Sequence, residues 1–406
     1  MNHGVPVVVL GVHYGSLGIA RSLGRLGISV HGVHDDVRVN ALASRYFHRR
    51  HCWDFARSTA DASVAFLQGI GRDLGGTAVL LPTTDDTAQL VADRASELRD
   101  TFRFQDNPPS LVRELRRKWE MSALAKRHGV PTPGTRLPAT AAEALQFAEE
   151  MGYPLLLKSS DGARLEARAL PKMVIVRSAS ELAAHYARME DVTDANLMLQ
   201  EYIPGSGEAV WMFNGYFDRN SDCVAGFTGR KLRQHPIRTG ATSLGICLKN
   251  ETVHRLTTGF MKAVGYHGIV DIGFRHDARD GRYKLLDVNP RIGATFRLFV
   301  GIDGTDVARI LYLDLTGQPL ASSEAREGRK WLDENRDYYS VREHRREGSL
   351  TGAGWLRSFM GADESAWFAW DDPVPAIRTA GEVVGRGLRK AGRLTARSFR
   401  RSRTDP

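Results

Sequence analysis

The chain has 406 residues, of which 42% are hydrophobic and 25% charged, with a formal net charge of +9. That composition excludes a largely disordered chain, and the length points to two or three domains. The charge is concentrated: residues 376–406 hold nine Lys and Arg against Glu382 and Asp405, a net of +7, so the preceding 375 residues carry only about +2 and do not read as a nucleic-acid-binding body.

The first apolar run, Val5–Leu10, is continuous, as suits a buried parallel strand. A turn with Gly11, Gly15 and Gly18 leads into an amphipathic helix through Ile19, Leu23 and Leu26. Strands are predicted at Ile28–Val33 and Ala78–Pro82, with a helix around Ala62–Ile70 between them, a doubly wound α/β pattern ending near Pro108-Pro109. A helix is predicted over Ser110–His128, stopped by Gly129 and Pro131. Short strands follow at Tyr153–Lys158 and Met173–Val176, flanking a loop over Ser159–Lys172, then a helix at Ala179–Met189 and a strand-like run over Leu197–Ile203. Gly229–Pro236 reads as a basic loop between strands. Ile269–Arg275 and Tyr283–Val288 read as a hairpin closed by Asp280-Gly281. The Trp-rich stretch beyond Gln318 reads as a helical cap.

No apolar run reaches the roughly 20 residues of a membrane span. We expect no signal peptide, since Met1–Gly4 lacks a basic region. Cys52, Cys223 and Cys247 are dispersed and odd in number, which fits a reducing, cytoplasmic setting.

Asp287-Val288-Asn289-Pro290-Arg291 carries the clearest chemistry. Residues two apart on a strand share a face, so Asp287 and Asn289 offer two hard oxygen ligands to Mg²⁺. Arg291 adds a bidentate phosphate-binding fork beside them.

This motif resembles the metal-binding signature of the ATP-grasp superfamily. Lys118 with Gly129-Val130-Pro131-Thr132-Pro133, the strand Pro154–Lys158, and Gln200-Glu201-Tyr202-Ile203-Pro204-Gly205 are similar to further motifs of that family, in the same order. Gly229-Arg230-Lys231-Leu232-Arg233-Gln234 resembles a stretch of D-aspartate ligase-like proteins. The resemblance covers about Val5 to Pro319. It implies a Rossmann-like N-terminal domain (1–109), an ATP-grasp domain of a small lobe (110–190) and a large lobe with the metal site (191–319), a helical C-terminal cap (320–375) and a basic tail (376–406).

The same resemblance implies site roles. Lys118 and Lys158 would contact the nucleotide phosphates, with Lys172 a lid residue over them. Gln200, Glu201, Tyr202 and Ile203 would receive the adenine, and Glu208 the ribose. Asp271, Asp287 and Asn289 would hold Mg²⁺, with Mn²⁺ a second fit. Relatives usually carry a Glu where this chain has Gly273, and Asp271, two residues earlier, is the replacement expected. Arg291, Lys231 and Arg233 would act on the acyl-phosphate.

The activity implied is ATP-dependent joining of a small-molecule carboxylate to an amine, with no nucleic-acid partner. Two alternatives stay open at this point. One is an ATP-binding regulatory or scaffold module, favoured by Gly273. The other is a NAD-dependent oxidoreductase, resting on Gly11, Gly15, Gly18 and the acids Asp35 and Asp36. On a helical wheel the tail separates Val384, Leu388, Ala391, Leu394 and Phe399 from Arg386, Arg389, Arg393, Arg397 and Arg400, the pattern of a basic helix lying on an anionic membrane at the inner face.

Overall fold

The computed structural model describes residues 2–159, 165, 168–171, 173–190, 197–383 and 385. Lys172 and nearly all of the basic tail beyond residue 383 therefore lie outside the described residues. Three sheets organise the chain. The first has five parallel strands in the order β3-β2-β1-β4-β5, made of β1 (Val7–Leu10), β2 (Val30–His34), β3 (Phe47–Cys52), β4 (Ala78–Pro82) and β5 (Phe102–Arg103). Strand β1 is central and every one of its side chains is buried, as its unbroken apolar run requires. Strand β3, which the sequence pattern does not reveal, is an edge strand, and its Phe-His-Arg-Arg-His-Cys composition is the charged blunting such edges need.

Helix α1 (Tyr14–Gly24) follows β1 and is capped by His13, whose Nδ1 accepts the Gly15 N–H at 3.0 Å. Gly15 and Gly18 let α1 press against the 293–298 turn, since a Cβ at either would collide with Ala294 or with Arg297 and Phe296. The N-terminal sheet and the large sheet thereby share one core, in which Val7, Val9 and Leu17 join Phe296, Leu298 and Tyr312.

The stretch predicted as one helix from Ser110 to His128 is two, Pro109–Arg116 and Lys118–Arg127, because Arg117 is extended (φ −87°, ψ 113°). Arg113 and Arg116 tie the first helix back to Asp93 and Asp86. The second packs Met121 and Leu124 under the large sheet. The break sets Lys118 at the start of a new helix.

The second sheet is small: β6 (Thr135–Arg136), β7 (Leu155–Ser159), β8 (Met173–Val176) and β9 (Leu197–Glu201), in the order β6-β9-β7-β8. It draws β9 from beyond the lobe boundary expected at residue 190, because β9 pairs antiparallel with β7. The third sheet has seven strands, β14-β13-β10-β11-β12-β15-β16. They are β10 (Val210–Phe217), β11 (Cys223–His235), β12 (Ala241–Cys247), β13 (Gly268–Asp277), β14 (Arg282–Asn289), β15 (Lys330–Leu332) and β16 (Glu364–Ser365).

Two expectations are corrected by this sheet. The basic loop predicted at Gly229–Pro236 is mostly the end of the 13-residue strand β11, and the connection to β12 is only Pro236–Gly240. The 320–375 region does contain the helices Glu334–Arg346 and Gly352–Phe359, but it also lends β15 and β16 to the sheet. Among the described residues no helix is long and apolar enough to cross a membrane.

Candidate functional site

A cavity of about 580 Å³ opens between the four-stranded and seven-stranded sheets, with Tyr14 of the N-terminal unit at its edge. It gathers Lys118, Lys158, Gln200, Glu201, Tyr202, Ile203, Lys231, Asp271, Asp287, Asn289 and Arg291 from six separate stretches of chain.

The carboxylate end is built by the β13–β14 hairpin. Its register places Asp271 opposite Asn289 and Gly273 opposite Asp287. Asn289 donates from Nδ2 to Asp271 Oδ2 at 3.3 Å and accepts on Oδ1 from Arg291 Nη2 at 3.1 Å. Arg291 is fixed from its other side by Asp85, at 2.7 Å from Nε. Burial and the neighbouring Asp287 push the Asp271 carboxyl up to about 6, against the pull of Arg291. Two carboxylates and an amide oxygen converging in this way fit a hard divalent cation, which would relieve the repulsion between the acids. Among the described residues no group of three or more His, Cys, Asp and Glu side chains is placed to hold a metal, so the amide is needed for this set. A Cβ at Gly273 would meet the Asp287 carboxylate, whose side chain would have to turn aside.

The cationic end faces it. Lys158 projects from β7 and donates from Nζ to Gln200 Oε1 at 2.6 Å on β9. Burial and the nearby Lys118 charge lower the Lys158 ammonium to about 8, and Asp287 pulls the other way. Lys231 is also lowered to about 8 by burial, with Asp287 and Asp271 opposing; its Nζ donates to Gly240 O at 2.9 Å. Desolvation weakens the ammonium form of both lysines, and an incoming anion would relieve that cost.

Glu201 spends its side chain on structure, accepting from Gly134 N at 3.0 Å, from Lys284 Nζ at 3.2 Å and from Arg279. The Glu201 side chain is thus committed to the fold, while Tyr202 and Ile203 line the cavity beside it. Glu208 does not line the cavity: it is exposed and pairs with Arg230 at 3.3 Å. Arg233, expected beside Lys231, is placed elsewhere. Bulges in the β11–β12 ladder after Lys231 and after Arg233 break the alternation of faces. Arg233 is buried in a two-point pair with Asp337, at 2.7 and 2.8 Å.

Sequence reasoning missed Tyr14, Arg275 and Gln234, which also line the cavity. Tyr14 lies under the Arg336 guanidinium, 5.6 Å from the ring centroid, and beside Trp331 and Trp367. Its only sequence signal was its place in the Gly11–Gly15 turn, since nothing local foretells the packing of that turn on residue 294.

A phosphate-bearing ligand held by ionised Asp271 and protonated Lys158 and Lys231 is expected to bind more weakly below about pH 6 and above about pH 8. A profile flat from pH 5.5 to 9 would contradict this pairing of charges.

No family model matches the chain, but curated relatives and solved structures do. The chain is 22% identical over 245 residues to the D-aspartate ligase of Enterococcus faecium, covering 58% of each. It is 25% identical over 273 residues to the carbamoyl phosphate synthase large chain of Haemophilus ducreyi, covering 64% of this chain and 22% of that one. The chain therefore spans little over half, or far less, of the length of these relatives. Among solved structures it resembles the biotin carboxylase domain of the Hydrogenobacter thermophilus 2-oxoglutarate carboxylase, in complex with MgADP, ADP and bicarbonate. The TM-score there is 0.61 at 18% identity, covering 80% of this chain and 73% of that one. It also resembles the L-amino acid ligase of Bacillus licheniformis, with TM-score 0.60 at 17% identity, covering 81% and 79%.

Proposed function

We propose that the chain is an ATP-dependent carboxylate–amine ligase working through an acyl-phosphate. The observation that carries this reading is one cavity holding Lys118 and Lys158 opposite Asp271, Asp287, Asn289 and Arg291.

Asp271, Asp287 and Asn289 would hold Mg²⁺, or Mn²⁺, which when bound neutralises phosphate oxygens. Lys118 and Lys158 bind the ATP phosphates as point charges, and the main chain of Glu201–Ile203 receives the adenine. Arg291, held by Asp85 and Asn289, steadies the γ-phosphoryl group as it moves. A substrate carboxylate oxygen bonds to the γ-phosphorus while the bond to the ADP oxygen breaks. An amine nitrogen then bonds to the acyl carbon, phosphate leaves, and the amine proton passes to solvent. Lys231, on β11, stabilises the acyl-phosphate oxygens. Catalysis is positioning and charge stabilisation, as phosphoryl transfer requires.

The N-terminal parallel sheet fits the Rossmann-like domain of such ligases, with Tyr14 its contribution to the substrate end. A regulatory module without turnover draws support from Gly273 alone, and the crowding by Asp287 gives that glycine another reason. The NAD reading is weakened because His13, Tyr14 and the close approach of Ala294 fill the first turn of α1. The tail bears on location: we place it against an anionic membrane face.

The test is release of ADP from Mg-ATP across a panel of carboxylates and amines, amino acids first given the D-aspartate ligase resemblance. We expect ADP and phosphate in equal amounts with one pair. Calorimetric binding of Mg-ATP with no ADP on any pair would overturn the ligase in favour of the module.

A further inference from the structure

The body carries an aromatic projection unrelated to the cavity. Trp370 is 91% exposed, and it packs edge-on against the partly exposed Phe368, with ring centroids 4.8 Å apart. Ile377, 66% exposed, follows seven residues later.

The projection is held rigidly from both sides. Arg21, itself buried, donates to Ala366 O at 3.3 Å and Trp367 O at 2.7 Å before it, and to Asp372 Oδ2 at 2.9 Å after it. Asp372 also accepts from Ser44 Oγ at 2.7 Å and Arg45 N at 3.1 Å. Asp371 pairs with Arg25 at 2.8 Å and accepts from Tyr46 Oη at 2.6 Å. An exposed tryptophan on so tightly clamped a segment is a fixed feature of the surface. The two adjoining acids are consumed internally and leave little free negative charge beside it.

The same clamps bring it to a basic edge. The exposed Arg45 lies 5.8 Å from the Tyr46 ring centroid. The turn that holds Arg45 leads into β3, the sheet edge, where Arg49 and Arg50 are exposed. Among the described residues, Arg45, Arg49 and Arg50 form no ion pair. The chain then runs into residues 376–406, with their net charge of +7.

We propose that this face is a docking surface for an anionic lipid bilayer. Phe368 and Trp370 enter the headgroup–acyl boundary while Arg45, Arg49 and Arg50 meet lipid phosphates. Amphipathic aromatic rings favour that boundary. Basic residues supply a salt-sensitive attraction to anionic headgroups. Stable peripheral attachment takes two such signals together. A protein partner would not require the uncompensated positive edge, and a nucleic acid would not require the projecting ring. The proposal rests on the location reading of the basic tail, and it is independent of the ligase reading.

The experiment is co-sedimentation of the full chain with phosphatidylglycerol and with phosphatidylcholine vesicles, using wild type, Trp370→Ala and the double variant Arg49→Glu/Arg50→Glu. We expect binding to phosphatidylglycerol alone, reduced about tenfold by either change, with the thermal unfolding transition of both variants unchanged. Brominated phosphatidylglycerol should quench wild-type fluorescence more than that of Trp370→Phe, which reads insertion even if a sedimenting variant misfolds. Wild-type binding that Trp370→Ala leaves intact, with equal quenching, would overturn the docking face and leave the tail reading standing. No binding by the wild type would overturn both. Retention of duplex DNA that depends on Arg49 and Arg50, without vesicle binding, would also overturn it.

Discussion

Asp287→Ala and Lys158→Ala are each expected to lower ADP release by about 10³-fold, the scale at which losing one electrostatic contact to a transferring group acts. The two losses should differ in kind. Asp287 faces Asp271 and Asn289, so its removal should raise the Mg²⁺ concentration needed for half-maximal rate. Lys158 faces Lys118 and Gln200, so its removal should weaken ATP binding without shifting the metal requirement. Titrations of rate against Mg²⁺ and against ATP separate these outcomes. Wild-type turnover in either variant would remove the cavity from the chemistry. A common shift in both titrations would show that the two ends do not act on different groups.

The second large effect is on stability. Arg233 and Asp337 are both buried, and the Asp337 carboxylate also accepts from Ser243 Oγ at 2.9 Å and Trp355 Nε1 at 3.2 Å. Arg233→Ala strands a buried carboxylate and is expected to cost ~3–5 kcal/mol. Replacing both partners, Arg233→Met with Asp337→Leu, should recover much of that loss, because no charge is then left unpaired. Denaturant unfolding of the single and double variants reads it. A loss below about 1 kcal/mol in the single variant would mean that the pair is compensated elsewhere. The pairing ties β11 to the helix Glu334–Arg346, which is why this arginine serves the fold instead of the cavity.

The parts of the fold legible in the sequence are those decided locally. β1 and β4 are unbroken apolar runs, and the β13–β14 hairpin is announced by Asp280-Gly281. The parts not legible were decided by neighbours. β3 hides because an edge strand needs charge more than alternation. The break at Arg117 comes with ion pairs from Arg113 and Arg116 to Asp93 and Asp86, which no window around residue 117 contains. The site divides in the same way. Asp287 and Asn289 are readable because strand geometry alone puts them on one face. Lys231 and Arg233 have the same spacing, but the bulges send them to different surroundings. Tyr14 reaches the cavity only through the packing of α1 on the 293–298 turn.

The Arg21–Asp372 clasp joins residues 351 positions apart, and β12 finds its outer neighbour, β15, only after the chain has reached residue 332. Pairings of such long sequence separation close late, because loop entropy must be overcome before they are rewarded. During synthesis, the first sheet therefore waits with one of its helices unclasped until Asp372 has emerged. An interrupted translation product that already holds Lys158 and Asp287 would still lack that closure.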